Sequence, residues 1–234
     1  MRKLPHSKVK HDTMYKRLKN ALSPNTWLRS RSAPLAQWAD DHALSFAPMV
    51  GGAYLLAGKW QGRAVRIQCL APSRPFIQGM ELMARADLGL RPEGNVVVMN
   101  RALKEVLEAQ SRALYSQYTD ELRTMAGVVP DEVRWLSMYR DAGWVGPDHR
   151  FWSRYAVLTD APELARRWVG SESEQQLMAW PETVNIATPM MFMLQRGKTY
   201  MRLQIDQTRD TATAVHALDL FKRLSQRAMD MAAD

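Results

Sequence analysis

The stretch that decides the fold lies in the second half of the chain and reads FWSRYAVLTDAPELARRWVGSESEQQLMAWP from Phe151 to Pro181. It continues as PMMFMLQRGKTYMRLQI over residues 189–205. Residues 151–158 are aromatic and β-branched, which is typical of a buried strand. A helix start follows at Asp160, and a second start follows at Ser171, where Glu174 completes the S-x-x-E spacing of a capping box. The alternation of residues 189–205 around Arg196-Gly197 predicts a hairpin, so the stretch is strand, helix, helix and hairpin.

Upstream of this stretch, alternating apolar residues predict more of the same sheet. Residues 54–58 and 63–70 predict a hairpin across residues 59–62. Residues 80–88 alternate most strictly, which predicts a core-facing set (Met80, Leu82, Ala84, Ala86) and a solvent-facing set (Glu81, Arg85, Asp87). Residues 95–99 predict a central strand, because Val96-Val97-Val98 is apolar on both faces.

Helical spacing predicts three further helices. One opens at Ser32-Ala33-Pro34, one spans residues 101–126 and one spans residues 210–232. The buried stripe predicted for the second comprises Leu103, Val106, Leu107, Leu114, Tyr118, Leu122 and Met125. Residues 133–139 fit both types of element: Pro130-Asp131-Glu132 favours a helix start, but the alternation that follows favours a strand.

These elements predict an α+β protein with a mostly antiparallel sheet of hairpins packed by long helices. The predicted body is a single unit over residues 33–234, with two lobes at about 33–127 and 128–234 as the alternative. Its one cysteine, Cys69, lies on the apolar side of a predicted strand, which favours a packed core thiol in a reducing compartment.

The net charge of +8 is confined to one end of the chain. Residues 1–31 hold nine basic side chains and one acidic side chain, Asp12, whereas basic and acidic side chains balance in residues 32–234. We call residues 1–31 the basic arm. A pI of about 9.8 therefore belongs to the arm and not to the body.

Within the arm, Met14, Leu18 and Leu22 are spaced for one face of a short helix that needs a surface to fold against. The residues predicted to bind an anionic surface are these three together with Lys8, Lys10, Lys16, Arg17 and Lys19. Such a segment suits anionic lipid. Nucleic-acid phosphates are a second interpretation, weakened because only Tyr15 and Trp27 are available for stacking. A solubilising tail is the third.

The sequence contains no segment that predicts a secretory signal or a membrane span, because no apolar run approaches the roughly 18–20 residues required. These features predict a cytoplasmic protein, peripheral to the inner membrane if the arm binds lipid.

Catalytic motifs are missing from the sequence. It contains no zinc-ligand spacing, no Walker loop and no nucleophile elbow. The only acid–base candidate is Asp148-His149-Arg150, a triplet more typical of a solvated loop. The methionines of the last hairpin fit core packing better than a cofactor pocket, although a groove for a peptide or apolar ligand is an alternative. No catalytic residue, metal or cofactor is predicted.

Parts of the sequence resemble the soluble domain of a bacterial family of unknown function. The matching residues in the second half are Phe151, Tyr155-Ala156-Val157, Asp160, Pro162-Glu163, Ala165-Arg166 and Arg196-Gly197-Lys198-Thr199-Tyr200. Those upstream are Trp38-Ala39, Phe46, Gly58 and Gly62-Arg63-Ala64-Val65-Arg66, so the resemblance covers residues 33–205. Many members carry membrane-spanning helices before the domain, where this chain has the basic arm. The resemblance implies the fold and no activity.

The function expected from all of this is a non-enzymatic binding or scaffold module, peripheral to the cytoplasmic membrane face through its arm. Its partner would be an anionic lipid surface or another protein. An enzyme with an unrecognised pocket is the alternative, and nucleic-acid binding through the arm is the third possibility.

Overall fold

The computed structural model describes residues 24–91, 93–117, 130–181, 185–206 and 211–233. The strands in these ranges are β1 (Leu44–Pro48), β2 (Tyr54–Trp60), β3 (Arg63–Leu70), β4 (Met80–Asp87), β5 (Val96–Asn100), β6 (Arg140–Asp141), β7 (Tyr155–Thr159), β8 (Met190–Gln195) and β9 (Lys198–Ile205). The helices are α1 (Pro24–Asp41), α2 (Arg101–Gln117), α3 (Asp131–Met138), α4 (His149–Arg154), α5 (Pro162–Met178) and α6 (Thr211–Met231).

All nine described strands belong to one antiparallel sheet in the order β1-β2-β3-β4-β9-β8-β5-β7-β6. The two predicted hairpins, β2–β3 and β8–β9, are present. The halves of the sheet are joined where β4 pairs with β9, with Leu82 opposite Leu203. The predicted α+β fold with an antiparallel sheet is confirmed.

One face of the sheet is covered by α1, α5 and α6. Its core contains Leu56, Ile67 and Leu82 from the strands, and Trp168 and Phe221 from the helices, all fully buried. Cys69 is buried on this face as predicted. This continuous apolar layer is the main source of stability, since burying a large apolar side chain contributes roughly 1.5–3 kcal/mol.

On the opposite face, α2 and α3 cover only the half of the sheet formed by β5, β7 and β8. Val97 and Met99 of β5 pack there against Leu103 and Leu107 of α2. Val96 and Val98 lie in the other core, so β5 is buried on both faces and is central, as its apolar run predicts.

Of the two alternatives left open for residues 133–139, the helix is correct and the strand is wrong, because residues 131–138 form α3. Asp131 and Glu132 occupy its first turn, where carboxylates are favourable to the helix dipole. The predicted strand at 151–158 begins only at Tyr155. Residues 149–154 form the short helix α4 instead, which buries Phe151 against Tyr155.

The helix predicted to open at Ser32 begins earlier, at Pro24, and continues through Pro34. Strand β1, which follows it, had no clear signal in the sequence. In α2, Leu103 and Leu107 are buried as predicted, but Val106 is 46% exposed. The end of the predicted stripe, including Tyr118, Leu122 and Met125, lies outside the described residues.

Candidate binding surfaces

The arm residues predicted to bind an anionic surface lie outside the described part of the chain. This applies to Lys8, Lys10, Met14, Lys16, Arg17, Leu18, Lys19 and Leu22. The structure describes the body together with the last eight residues of the arm, 24–31, which form the first part of α1. Buried Trp38 of α1 packs edge-on against Trp60 and donates a hydrogen bond of 2.7 Å from its indole nitrogen to Asp219 of α6.

The triplet Asp148-His149-Arg150 forms the start of α4. Asp148 accepts hydrogen bonds from the backbone nitrogen of Arg150 at 3.0 Å and from its Nε at 2.7 Å. These bonds lower the pKa of the Asp148 carboxyl to about 2, and the His149 side chain is 91% exposed. The triplet is therefore a solvated helix cap with its carboxylate already engaged.

Glu81 was predicted to face solvent, and this prediction is wrong. Its carboxylate is fully buried, where it accepts hydrogen bonds from Arg202 of β9 and, at 2.6 Å, from the Ser73 backbone nitrogen. Sequence alternation correctly placed Glu81 and Leu82 on different faces of the sheet. It could not show that the loop at residues 71–79 and α3 cover this end of the face.

A second buried carboxylate lies beside the first. Glu132 of α3 accepts a hydrogen bond of 2.5 Å from Nε of Arg74, and its side chain is 3% exposed. The charges of Glu132 and Arg74 both act on Arg202, so the two ion pairs form one network, and burial lowers the pKa of Arg202. A cavity of about 400 Å³ adjoins it, lined by Phe76, Leu107 and Arg134 among others. Each carboxylate is neutralised by a guanidinium, so the network offers no free base for acid–base chemistry.

Between α5 and α6 lies a polar groove of about 780 Å³. Basic and acidic side chains line the groove. Arg223 of α6 forms an ion pair of 2.5 Å across the groove with Glu172 of α5. Ser173 lines the groove with a buried hydroxyl that has no hydrogen-bond partner in the described part of the chain. The break in α5 beside the groove is at Gly170, which has a φ of 55°. It separates two helical segments, as the capping-box spacing at Ser171 predicts.

The space between the last hairpin and α6 is much smaller. The cavity there measures about 30 Å³ and is lined by Leu90, Leu194 and Ala228 among others. That is room for about one water molecule. The methionines of the hairpin (Met190, Met191, Met193, Met201) are buried in the two cores.

Among the described residues, the other half of the sheet face that carries α2 and α3 is covered only at its Glu81 end, by the loop at residues 71–79 and α3, and we call this half the open face. It consists of the side chains of β2, β3, β4 and β9 that point away from α1, α5 and α6. Its central cross-strand row reads Ala57, Arg66, Arg85 and Tyr200, and the next row reads Leu55, Gln68, Met83 and Arg202. Arg66 and Arg85 are exposed, and the other members are half-buried.

Two kinds of site are missing from the described ranges. No group of three or more His, Cys, Asp or Glu side chains is arranged there to hold a metal ion. No helix there combines the length and apolarity needed to cross a bilayer.

The fold and these surfaces define an α+β protein built on one antiparallel sheet. Comparison with protein-family models gives no match, and comparison with curated proteins gives none either. Among solved structures, the chain is similar to the mycobacterial trehalose monomycolate transport factor A, with 12% sequence identity and a TM-score of 0.42. That likeness covers 85% of this chain and 94% of the other. Likeness at this level establishes neither a shared fold nor a shared activity.

Proposed function

We propose that this protein is a non-enzymatic binding module held at an anionic membrane surface, on the cytoplasmic side, by its basic arm. The observation that carries the proposal is the confinement of the whole charge excess to residues 1–31. At long range, a polyanion is therefore attracted almost wholly by the arm, because the rest of the chain carries no net charge. Each basic residue held near an anionic bilayer contributes roughly 1 kcal/mol.

The state of charged groups in the body supports this division of roles. The buried acids Glu81 and Glu132 are paired with arginines, and exposed charges such as Glu172 and Asp87 also take part in ion pairs. The buried acids of the body are thus neutralised, and the basic and acidic side chains of residues 32–234 balance in number.

Apolar side chains favour lipid over nucleic acid as the anionic surface. Met14, Leu18 and Leu22 give the arm a small apolar face, which a bilayer can receive and a phosphate backbone cannot. The connection between β1 and β2 adds Met49 and Val50, which are 49% and 95% exposed. This connection leaves β1, the edge strand that directly follows α1 and the arm.

The proposal is tested by co-sedimentation of the full-length chain with vesicles containing phosphatidylglycerol. The full chain is needed because a cut at residue 32 would divide α1. We expect binding to anionic vesicles and none to neutral ones. Leu18→Asp should weaken binding as much as Lys16→Ala/Lys19→Ala does, by roughly 30-fold for about 2 kcal/mol. The matched control Lys59→Ala/Lys222→Ala, which removes two lysines from the body, should bind almost like the wild type.

Two further measurements, the salt dependence of vesicle binding and retention on nucleic acid, can contradict the membrane proposal. Binding should weaken with salt, since the Debye length is about 8 Å at physiological ionic strength. If Leu18→Asp has no effect while retention on nucleic acid follows the number of arm lysines, the lipid proposal is wrong. If neither polyanion retains the protein at about 50 mM salt, the arm is a solubilising tail.

A further inference from the structure

A second binding surface, independent of the arm, lies on the open face of the sheet. We propose that this face docks an acidic amphipathic helix of a partner protein. The occupant is identified by three features of the described part of the chain: a pair of like charges that is only partly compensated, apolar side chains beside that pair, and a helix layer that stops at the border of the face.

The like charges are Arg66 and Arg85, which lie directly opposite each other on β3 and β4. Directly opposed residues have Cβ atoms about 4.5–5.5 Å apart, and like charges at that separation destabilise a sheet. Arg85 is partly compensated by Asp87 at 3.2 Å and lies 6.0 Å from the centre of the Tyr200 ring. Arg66 forms no ion pair with any described residue. A carboxylate placed between the two guanidiniums would relieve the repulsion through charge-assisted hydrogen bonds.

Other basic side chains around Arg66 and Arg85 add to the positive charge of the open face. Basic side chains outnumber acidic ones on the open face by five (Lys59, Arg66, Arg85, Lys198, Arg202) to two (Glu81, Asp87). Glu81 is fully buried under Arg202, so Asp87 is the acid that solvent reaches. The face is therefore complementary to an acidic partner and repels the chain's own basic arm.

The apolar members of the face favour a polypeptide over a nucleic acid. Leu55, Ala57 and Met83 are half-buried beside the arginines, where they offer contact area to apolar side chains. The aromatic ring of the face belongs to Tyr200, and it is half-buried against the core under α2 and α3 and next to Arg85. A platform for stacked bases would need exposed aromatic rings.

The neighbouring half of the same face shows what kind of element this surface receives. The two open rows continue across β9 into Met193 and Met191 of β8, which are covered by α2 and α3. Among the described residues, the helix layer ends at that border. A partner helix laid over β2, β3 and β4 would continue the layer, with its apolar side on Leu55 and Met83 and its carboxylates on Arg66 and Arg85.

The test uses the full-length chain and a labelled synthetic 20-residue peptide that places glutamate along one side of a helix and leucine along the other. Binding is followed by fluorescence anisotropy, with a lysine-for-glutamate peptide, single-stranded oligothymidine and phosphatidylglycerol vesicles as the other probes. Three variants are compared. Arg66→Glu/Arg85→Glu reverses two charges of the open face. Arg166→Glu/Lys222→Glu makes the same charge change on helices of the opposite face. Lys16→Glu/Lys19→Glu reverses two charges of the arm.

We expect the glutamate peptide to bind the wild type and to lose at least tenfold in affinity with Arg66→Glu/Arg85→Glu, while the other two variants change it less than threefold. The lysine peptide should bind Arg66→Glu/Arg85→Glu better than it binds the wild type. Vesicle binding should follow the arm variant alone, so failure of the membrane proposal and failure of this one are distinguishable. The inference is overturned if the glutamate peptide does not bind at about 50 mM salt, or if all three variants weaken it equally. It is also overturned if reversal of the open face abolishes binding of oligothymidine or vesicles instead, or if the wild type masks the face by forming a dimer.

Discussion

At the scale of single residues, the side chain that departs most from its sequence pattern is Glu81. Its neighbours behave as the alternation predicts, since Leu82 and Ala84 are buried on one side and Arg85 is exposed on the other. Alternation reports which face a side chain is on, but not whether another element covers that face. The loop at residues 71–79 and α3 cover this end of the open face, where the pairs Arg74–Glu132 and Arg202–Glu81 neutralise the two buried carboxylates.

The ion-pair network predicts that two carboxylates of β4, Glu81 and Asp87, contribute unequally to the free energy of unfolding. Glu81→Gln leaves the largely buried Arg202 without its counter-charge and should reduce the free energy of unfolding by roughly 3 kcal/mol. Asp87→Asn, the matched change at an exposed position, should have little effect, because exposed ion pairs contribute little. Urea denaturation of both variants measures this. Equal stability of the two would show that the Glu81–Arg202 pair contributes no more than a surface contact.

At the scale of elements, the sequence predicts hairpins, whose residues are close in the chain, and misses the pairing of strands that are distant in the chain. The two hairpins were predicted correctly because their turn residues and alternation lie within a few positions of one another. The pairing of β4 with β9 links residues more than a hundred positions apart, and no local pattern encodes it. The spacing of apolar residues in 133–139 fits both a helix and a strand. In the structure this segment is helical, and Trp135 and Leu136 pack against the core between β5 and α2.

The turn of the last hairpin gives a prediction at this scale, with the turn of the first hairpin as its control. Gly197 and Gly62 both have positive φ, 70° and 79°. A Cβ on Gly197 would lie 2.1 Å from the carbonyl oxygen of Leu90, whereas a Cβ on Gly62 meets nothing within 4 Å. Gly62→Ala should cost roughly 1–2 kcal/mol for the backbone conformation. Gly197→Ala should cost roughly 1–3 kcal/mol more, because the backbone at Leu90 must move. Matching thermal and chemical denaturation curves for the two variants would contradict this contact.

At the scale of the whole molecule, the chain combines a basic arm with a body of balanced charge. Of the candidate sites, the sequence alone identified the arm, because charge counting needs no structure. It could not identify the open face, since Arg66 and Arg85 are nineteen positions apart and become neighbours only when β3 pairs with β4. That none of the described helices lies over β2 and β3 on this side is likewise a property of the assembled layers.

Under the proposed function, the arm and not the body contacts an anionic membrane. The most direct measurement places an environment-sensitive fluorophore at Ala21→Cys, three positions from Leu18 on the predicted apolar side of the arm. The native Cys69 is 1% exposed and will not compete for the label. A control label at Ala64→Cys reports from the open face, whose Ala64 is exposed.

We expect a blue shift of the fluorophore at position 21 when phosphatidylglycerol vesicles are added. Neutral vesicles should produce no shift, added salt should reverse it, and the label at position 64 should not respond. An unchanged spectrum at position 21, or equal shifts at both positions, would contradict the claim that the arm alone meets the membrane.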